Sequence, residues 1–159
     1  MVKNNLKGFV MKNLDVKISV MQLSDLESIA PILETDFDDF WNYNVFKSEL
    51  ENANSKYLVA KIGTEIVGFA GIIPILDEAD ISNIVVRKSF RGKKIGSLLL
   101  QSLLDLAVSL DLKVLNLEVR ESNCSAIKLY DKFGFEVCGI RKKYYDNVEN
   151  AVLMKKIID

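Results

Sequence analysis

The 159-residue chain contains no histidine, so any acid–base chemistry must use Glu, Asp, Tyr, Lys or water. Side chains suited to such chemistry concentrate in one stretch. Arg91-Gly92-Lys93-Lys94 runs into Ile95-Gly96-Ser97, a lone acid follows at Glu118, and then come Asn123 and Tyr130. Small and basic residues at the start of a helix suit an anion. The first backbone N–H groups point outward, the helix dipole adds partial positive charge, and Arg91, Lys93 and Lys94 add formal charge. A pyrophosphate fits such a loop. A nucleotide-triphosphate loop does not, because Gly92 and Gly96 are four apart and no lysine precedes Ser97. Taken alone, the loop also reads as a solvated basic turn before a core helix.

Glu118 lies in Leu115-Asn116-Leu117-Glu118-Val119-Arg120. The alternation puts Glu118 on the polar face of a strand, near its carboxyl end, where open α/β sheets place ligands. A surface glutamate paired with Arg120 or a nearby lysine would look the same. Asn123, Ile127 and Tyr130 fall at i, i+4 and i+7 on a helix, with Asn123 and Tyr130 about 10 Å apart along its axis. Tyr130 reads equally well as a core aromatic or a functional phenol. Cys124 is a weak candidate nucleophile, since no histidine can activate it.

The elements that must position these residues follow from local pattern. Val16 to Met21 is a short β-prone run, and Ser24 with Glu27 forms a capping-box pattern before a helix bearing Leu26, Ile29, Ala30 and Leu33. An acidic and aromatic loop spans Asp36 to Tyr43, and a short helix runs from about Asn44 to Asn52. Tyr57 to Ile62 and Ile66 to Ile73 read as a hairpin across Gly63-Thr64-Glu65, with a further strand from Glu78 to Val86. Ile95 to Leu110 reads as a long apolar helix and Lys113 to Val119 as a buried strand. Asn123 to Phe133 is a helix capped by Ser122 or Asn123 and stopped by Gly134. Two strands, about Glu136 to Tyr145 and Ala151 to Ile157, close the chain around Asp146-Asn147. The pattern is one α/β domain with one right-handed parallel crossover.

Composition narrows the classes. With 49% apolar residues, 27% charged residues and a net charge of −1, the chain reads as a globular domain with no bulk charge for nucleic acid or an anionic membrane. No apolar run reaches the ~20 residues of a membrane span. Cys124 and Cys138 lack metal-ligand spacing, so no metal site is expected. Residues 1–14 read as a frayed or weakly docked extension, with Met11 a possible alternative start, ahead of a domain covering 15–159 in a cytoplasmic protein.

In order and spacing these segments resemble the GCN5-related N-acetyltransferase (GNAT) superfamily, and within it the bacterial ribosomal-protein-alanine N-acetyltransferases. The resemblance covers roughly Val16 to Met154. It rests on Leu76-Asp77-Glu78-Ala79, Asn83-Ile84-Val85-Val86, Phe90 to Gly96 and Leu117-Glu118-Val119-Arg120. Further along it rests on Ser122-Asn123, Ala126 to Tyr130, Phe133-Gly134-Phe135, Ile140 to Tyr145 and Ala151 to Met154. It implies an α/β (α+β) domain with a mixed, mostly antiparallel sheet of about six or seven strands. One parallel pair is splayed and about four helices flank the sheet.

The resemblance also implies acetyl-CoA as co-substrate. The loop Arg91 to Ser97 would hold its pyrophosphate, with Lys94 standing where the family writes a glycine. A left-handed backbone at Lys94 would cost about 1 kcal/mol or more. The backbone of Ile84, Val85 and Val86 would pair with the pantetheine arm and Asn123 would contact it. Glu118 matches the general base and Tyr130 the general acid. Phe40 and Trp41 match a groove-lining segment, with Phe40 in place of a proline. Tyr144 and Tyr145 match aromatics that close over the acceptor, and they read equally as strand packing.

Amine attack on a thioester needs a neutral amine. An α-amino group has a pKa of ~8 and a lysine ~10.4, a difference worth ~3.4 kcal/mol. A carboxylate working through water therefore suits a protein N-terminus better than a lysine. The expected reaction is direct transfer in a ternary complex, with the oxyanion held by N–H groups near Val85. Alternatives are a small amine such as a polyamine or antibiotic, a CoA-binding regulatory module without turnover, and a nucleotide-phosphate domain. The oligomeric state stays open.

Overall fold

The computed structural model describes residues 15–37, 42–145 and 147–159. Seven strands form one sheet in the order β1-β2-β3-β4-β5-β7-β6. In chain order they are β1 (Val16–Val20), β2 (Lys56–Ile62), β3 (Glu65–Ile75), β4 (Glu78–Val86), β5 (Val114–Arg120), β6 (Glu136–Tyr145) and β7 (Glu149–Ile157). Four α-helices are described: α1 (Leu23–Ile29), α2 (Tyr43–Glu51), α3 (Ile95–Ser109) and α4 (Cys124–Lys132). The sheet is mixed. β4 pairs with β5 in parallel, through Glu78, Ala79 and Asp80 against Val114, Leu115 and Asn116. That ladder is short, while β4 continues to Val86 and β5 to Arg120. This is the splayed parallel pair expected from the resemblance.

The chain divides into two compact units, Met1–Gly71 with Asn83–Leu103 and Ile72–Ser82 with Leu104–Asp159. In the first, Leu26, Phe37 and Phe46 are essentially inaccessible and cluster with Tyr57, Val59 and Phe69. The Phe46 ring lies 4.7 Å from that of Phe69 and 5.4 Å from that of Tyr57. In the second, the alternation read from the sequence of β5 holds. Leu115, Leu117 and Val119 are buried, and Glu118 faces out.

The start of α1 differs from the Ser24–Glu27 expectation. The helix begins at Leu23, and the Asp25 carboxylate accepts the Gln22 N–H at 2.7 Å. Asp25 also pairs with Lys61 at 2.7 Å. That second partner from β2 fixes the carboxylate and draws the cap two residues upstream of Ser24. Pro31, which cannot donate to a helical ladder, falls in a 3-10 turn (Ala30–Ile32), followed by a π turn (Leu33–Phe37). Asn123, one of the two expected caps of α4, is the actual one: its Oδ1 accepts the Ala126 N–H at 3.2 Å. Gly134 stops that helix at φ +91°.

Candidate active site

The first unit carries the basic loop. After β4 a 3-10 turn (Lys88–Phe90) leads to Arg91, and α3 begins at Ile95. Gly92 has φ +81°, and a Cβ built there meets nothing within 4 Å. Lys94 has φ +65°, so it does adopt the left-handed backbone a glycine would favour. Its carbonyl accepts the Leu98 N–H at 3.2 Å, making Lys94 the cap of α3. Among the described residues, no backbone N–H from Gly92 to Ser97 has a backbone acceptor outside the helix. Those amides and the open space at Gly92 fit an anion, so the loop passes a physical test for a phosphate group.

The charges of this loop divide into two kinds. Arg91 donates from Nε to Val86 O and from Nη2 to Phe37 O, both at 3.0 Å. Arg87 pairs with Asp36 at 2.9 Å and Glu65 at 2.7 Å. The Arg87 hydrogen bond holds the Asp36 carboxyl below its usual range, aided by one from Thr35. Both arginines therefore staple the end of β4 to neighbouring chain. Lys93 and Lys94 make no ion pair among the described residues, which leaves them as the loop's available formal charge. Ile95 is 1% exposed, so only its backbone can serve a ligand. Gly96 and Ser97 are half-buried in the first turn of α3. Val85 is buried and Ile84 and Val86 half-buried. A Cβ at Gly68 would come within 2.9 Å of Val85 O, so glycine is what lets β3 approach β4 there.

The second unit carries the acid. Arg141 on β6 donates to Glu118 Oε2 from Nη2 at 2.6 Å and from Nε at 3.2 Å. The partner is therefore Arg141 and not Arg120, which pairs with Glu149 at 3.2 Å. The Glu118 hydrogen bond, and then its charge, push the Arg141 guanidinium above its ordinary value. The Arg141 guanidinium carbon stands 4.9 Å from the Tyr144 ring centroid. Sequence reasoning missed this role of Arg141, which stands in the chain as one of three consecutive basic residues, Arg141-Lys142-Lys143. It also missed Asp80, which sits opposite Asn116 in the parallel ladder. Asp80 is an exposed residue whose carboxyl is partly withdrawn from water. That desolvation, and then the negative charges of Glu118 and Glu78, push its pKa up. Asn116 donates to Glu78 Oε1 at 3.0 Å.

Tyr130 is 9% exposed, and its ring meets Phe135 edge-on at 5.7 Å. The ring is packed, as its reading as a core aromatic expects, on the helix capped by Asn123. Tyr144 is half exposed. Phe40 and Trp41 lie outside the described residues, as does the side chain of Tyr145. Cys124 and Cys138 are free and exposed.

Residues 19–135 match the family model of the Acetyltransferase (GNAT) family, and the chain belongs to that family. It is an acyltransferase, and its relatives make it an N-acetyltransferase. A ribosomal protein bS18-alanine N-acetyltransferase of Haemophilus influenzae is 36% identical over 86% of this chain and 95% of that protein. The crystal structure of the ribosomal-protein-S18-alanine N-acetyltransferase from Escherichia coli is similar at a TM-score of 0.83 and 31% identity, covering 91% of this chain and 94% of that one. The structure of Ard1 from Thermoplasma volcanium is similar at 0.81 and 26% identity, covering 91% and 98%. The family uses acetyl-CoA as co-substrate. Among the described residues, no helix is long and apolar enough to cross a membrane.

Proposed function

We propose that this chain transfers the acetyl group of acetyl-CoA to the N-terminal α-amine of a protein, of the ribosomal-protein-alanine type, by direct attack in a ternary complex. The observation that carries the reading is the grouping of Glu118, Arg141 and Tyr144. It joins the candidate base to the terminal hairpin (β6–β7) that the resemblance assigns to the acceptor. The names of the relatives support the same acceptor class.

In this reading the backbone amides of Gly92 to Ser97, that of Lys94 among them, hold the pyrophosphate of acetyl-CoA, with Arg91 and Lys93 supplying formal charge. The backbone of Ile84 to Val86 and Asn123 hold its arm. Glu118 takes the amine's proton through a water. The amine then attacks the thioester carbonyl, N–H groups near Val85 steady the oxyanion, and the Tyr130 hydroxyl protonates the departing thiolate. Phe40, Trp41, Tyr144 and Tyr145 line the acceptor's path.

The test is an acetyl-transfer assay with purified enzyme against peptides varying the first residues, including an Ala-Arg start, beside polyamines and a peptide with a blocked N-terminus. Transfer to free α-amines, lost on blocking, is expected. Preference for the polyamine would replace this reading with small-amine acetylation. Binding of acetyl-CoA with no CoA release in the presence of any acceptor would favour a binding module without turnover.

A further inference from the structure

We propose that Arg141 is a positioning residue: it orients Glu118 and couples that carboxylate to the acceptor hairpin through Tyr144. The inference rests on the proposed role of Glu118 as the proton acceptor. Its basis is the register of three neighbouring strands. Glu118 pairs across β5–β7 with Leu153, and Leu153 pairs with Gly139 on β6. In the next row on the same face, Arg120, Ala151 and Arg141 stand in line. Arg141 must therefore reach across β7 to meet Glu118, over about two inter-strand spacings of ~4.8 Å each. Its way across β7 passes Ala151, which presents only a methyl, while the Leu153 side chain leans over Gly139, where an added Cβ would meet its Cδ1 at 3.2 Å.

Both contacts fall on one carboxylate oxygen, Oε2. Two donors of one planar guanidinium converge on that oxygen and hold it in place beside β6. Of the five N–H donors of Arg141, two are engaged with Glu118 among the described residues.

The second half of the device is a break in β6. Regular alternation would place residues 141 and 144 on opposite faces. The ladder instead jumps from Arg141↔Ala151 to Tyr145↔Glu149, so four steps on β6 match two on β7. Lys143 sits inside this bulge at φ +52°, and its N–H donates to Asn150 Oδ1 at 2.9 Å. The bulge turns the Tyr144 ring onto the guanidinium of Arg141. A left-handed lysine is strained, and such strain persists only where surroundings over-determine it. Here the Asn150 hydrogen bond and the stacked ring do so. An acceptor that touches Tyr144 thus moves a ring in contact with the group holding the base.

The experiment compares wild type, Arg141→Ala, Arg141→Lys, Tyr144→Ala, the Arg141/Tyr144 double variant and Glu118→Gln in the peptide assay, with the thermal midpoint of each recorded. Arg141→Ala should lower kcat about 10- to 100-fold, the scale of a misplaced catalytic group, with the KM for acetyl-CoA within about two-fold. Arg141→Lys should recover only part, since an ammonium has charge but no planar fork. Methylguanidinium added to Arg141→Ala should restore part of kcat, which a merely structural loss would not permit. The Tyr144→Ala and Arg141→Ala losses should not add. Additive losses, absence of rescue, or full kcat in Arg141→Ala overturn the inference. If Arg141→Ala does not fold, Arg141→Lys decides: full kcat there overturns it too. Full turnover by Glu118→Gln instead removes the proposed base itself, an outcome distinct from an inactive Glu118→Gln beside an intact Arg141→Ala.

Discussion

Lys94→Gly should make this protein more stable while preserving or tightening its hold on CoA. Lys94 stands at φ +65°, where a non-glycine residue pays about 1–2 kcal/mol for the clash of its Cβ with the following carbonyl. Glycine removes that cost but gains freedom in the unfolded chain, which takes back about 0.4–1 kcal/mol. Lys94 also caps α3 with its carbonyl. A cation at the positive end of a helix is unfavourable by about 0.3–1 kcal/mol at low ionic strength. The net gain is about 1 kcal/mol, which for a chain of 159 residues corresponds to a rise of about 2–4 °C in Tm.

Lys94→Ala isolates the backbone part, because alanine also lacks the charge but keeps the Cβ. Lys94→Gly should exceed Lys94→Ala by about 0.5–1 kcal/mol in urea denaturation. CoA affinity of both, measured by calorimetry at low and high salt, separates the second issue. Lys94→Gly at or below Lys94→Ala in stability refutes the strain reasoning. A large loss of CoA affinity in both variants shows instead that the lysine ammonium is itself a phosphate ligand.

Glu118→Gln and Tyr130→Phe should each lower kcat by about 100-fold or more, the scale of a lost general base or acid, with CoA affinity unchanged. Steady-state kinetics beside CoA titration checks both, and full turnover in either removes that residue from its role. Cys124→Ala should leave kcat unchanged; loss of activity, with acetyl-enzyme trapped in the wild type by mass spectrometry, would revive a covalent route. Asp80→Asn should stabilise the protein at neutral pH. Burial and the charges of Glu118 and Glu78 raise the Asp80 pKa above 3.8, so the folded state binds this proton more tightly than the unfolded chain does. The penalty is absent below the unfolded value and grows as pH rises through the folded one. The gain in Tm for Asp80→Asn should therefore shrink towards pH 4, and a pH-independent gain would contradict the assignment.

The placement of much of the candidate site was legible because its signals are local. The alternation of β5 put Glu118 on the exposed face from residue types alone, and the helix pattern put Tyr130 on α4 with Asn123 at its cap. The glycine missing at Lys94 was readable too, since the backbone there is set by the turn into α3. Arg141 was not legible. Its partnership with Glu118 depends on two strand registers and on a two-residue jump inside β6, none of which has a local sequence signature. The hydrogen bonds of Arg91 to the carbonyls of Val86 and Phe37 were not legible for a similar reason, since Phe37 is far from it in the chain.

The sequence by itself determined the class of the protein, the strand and helix on which Glu118 and Tyr130 stand, and the basic turn that opens α3. Periodicity and turn chemistry act over a few residues, and the family pattern survives in their order. Only the tertiary structure decided which cation meets Glu118, which charges of the loop stay available, and which face Tyr144 occupies. Those outcomes hang on pairings between residues far apart in the chain, where a shift of one residue in register moves every side chain to the opposite face.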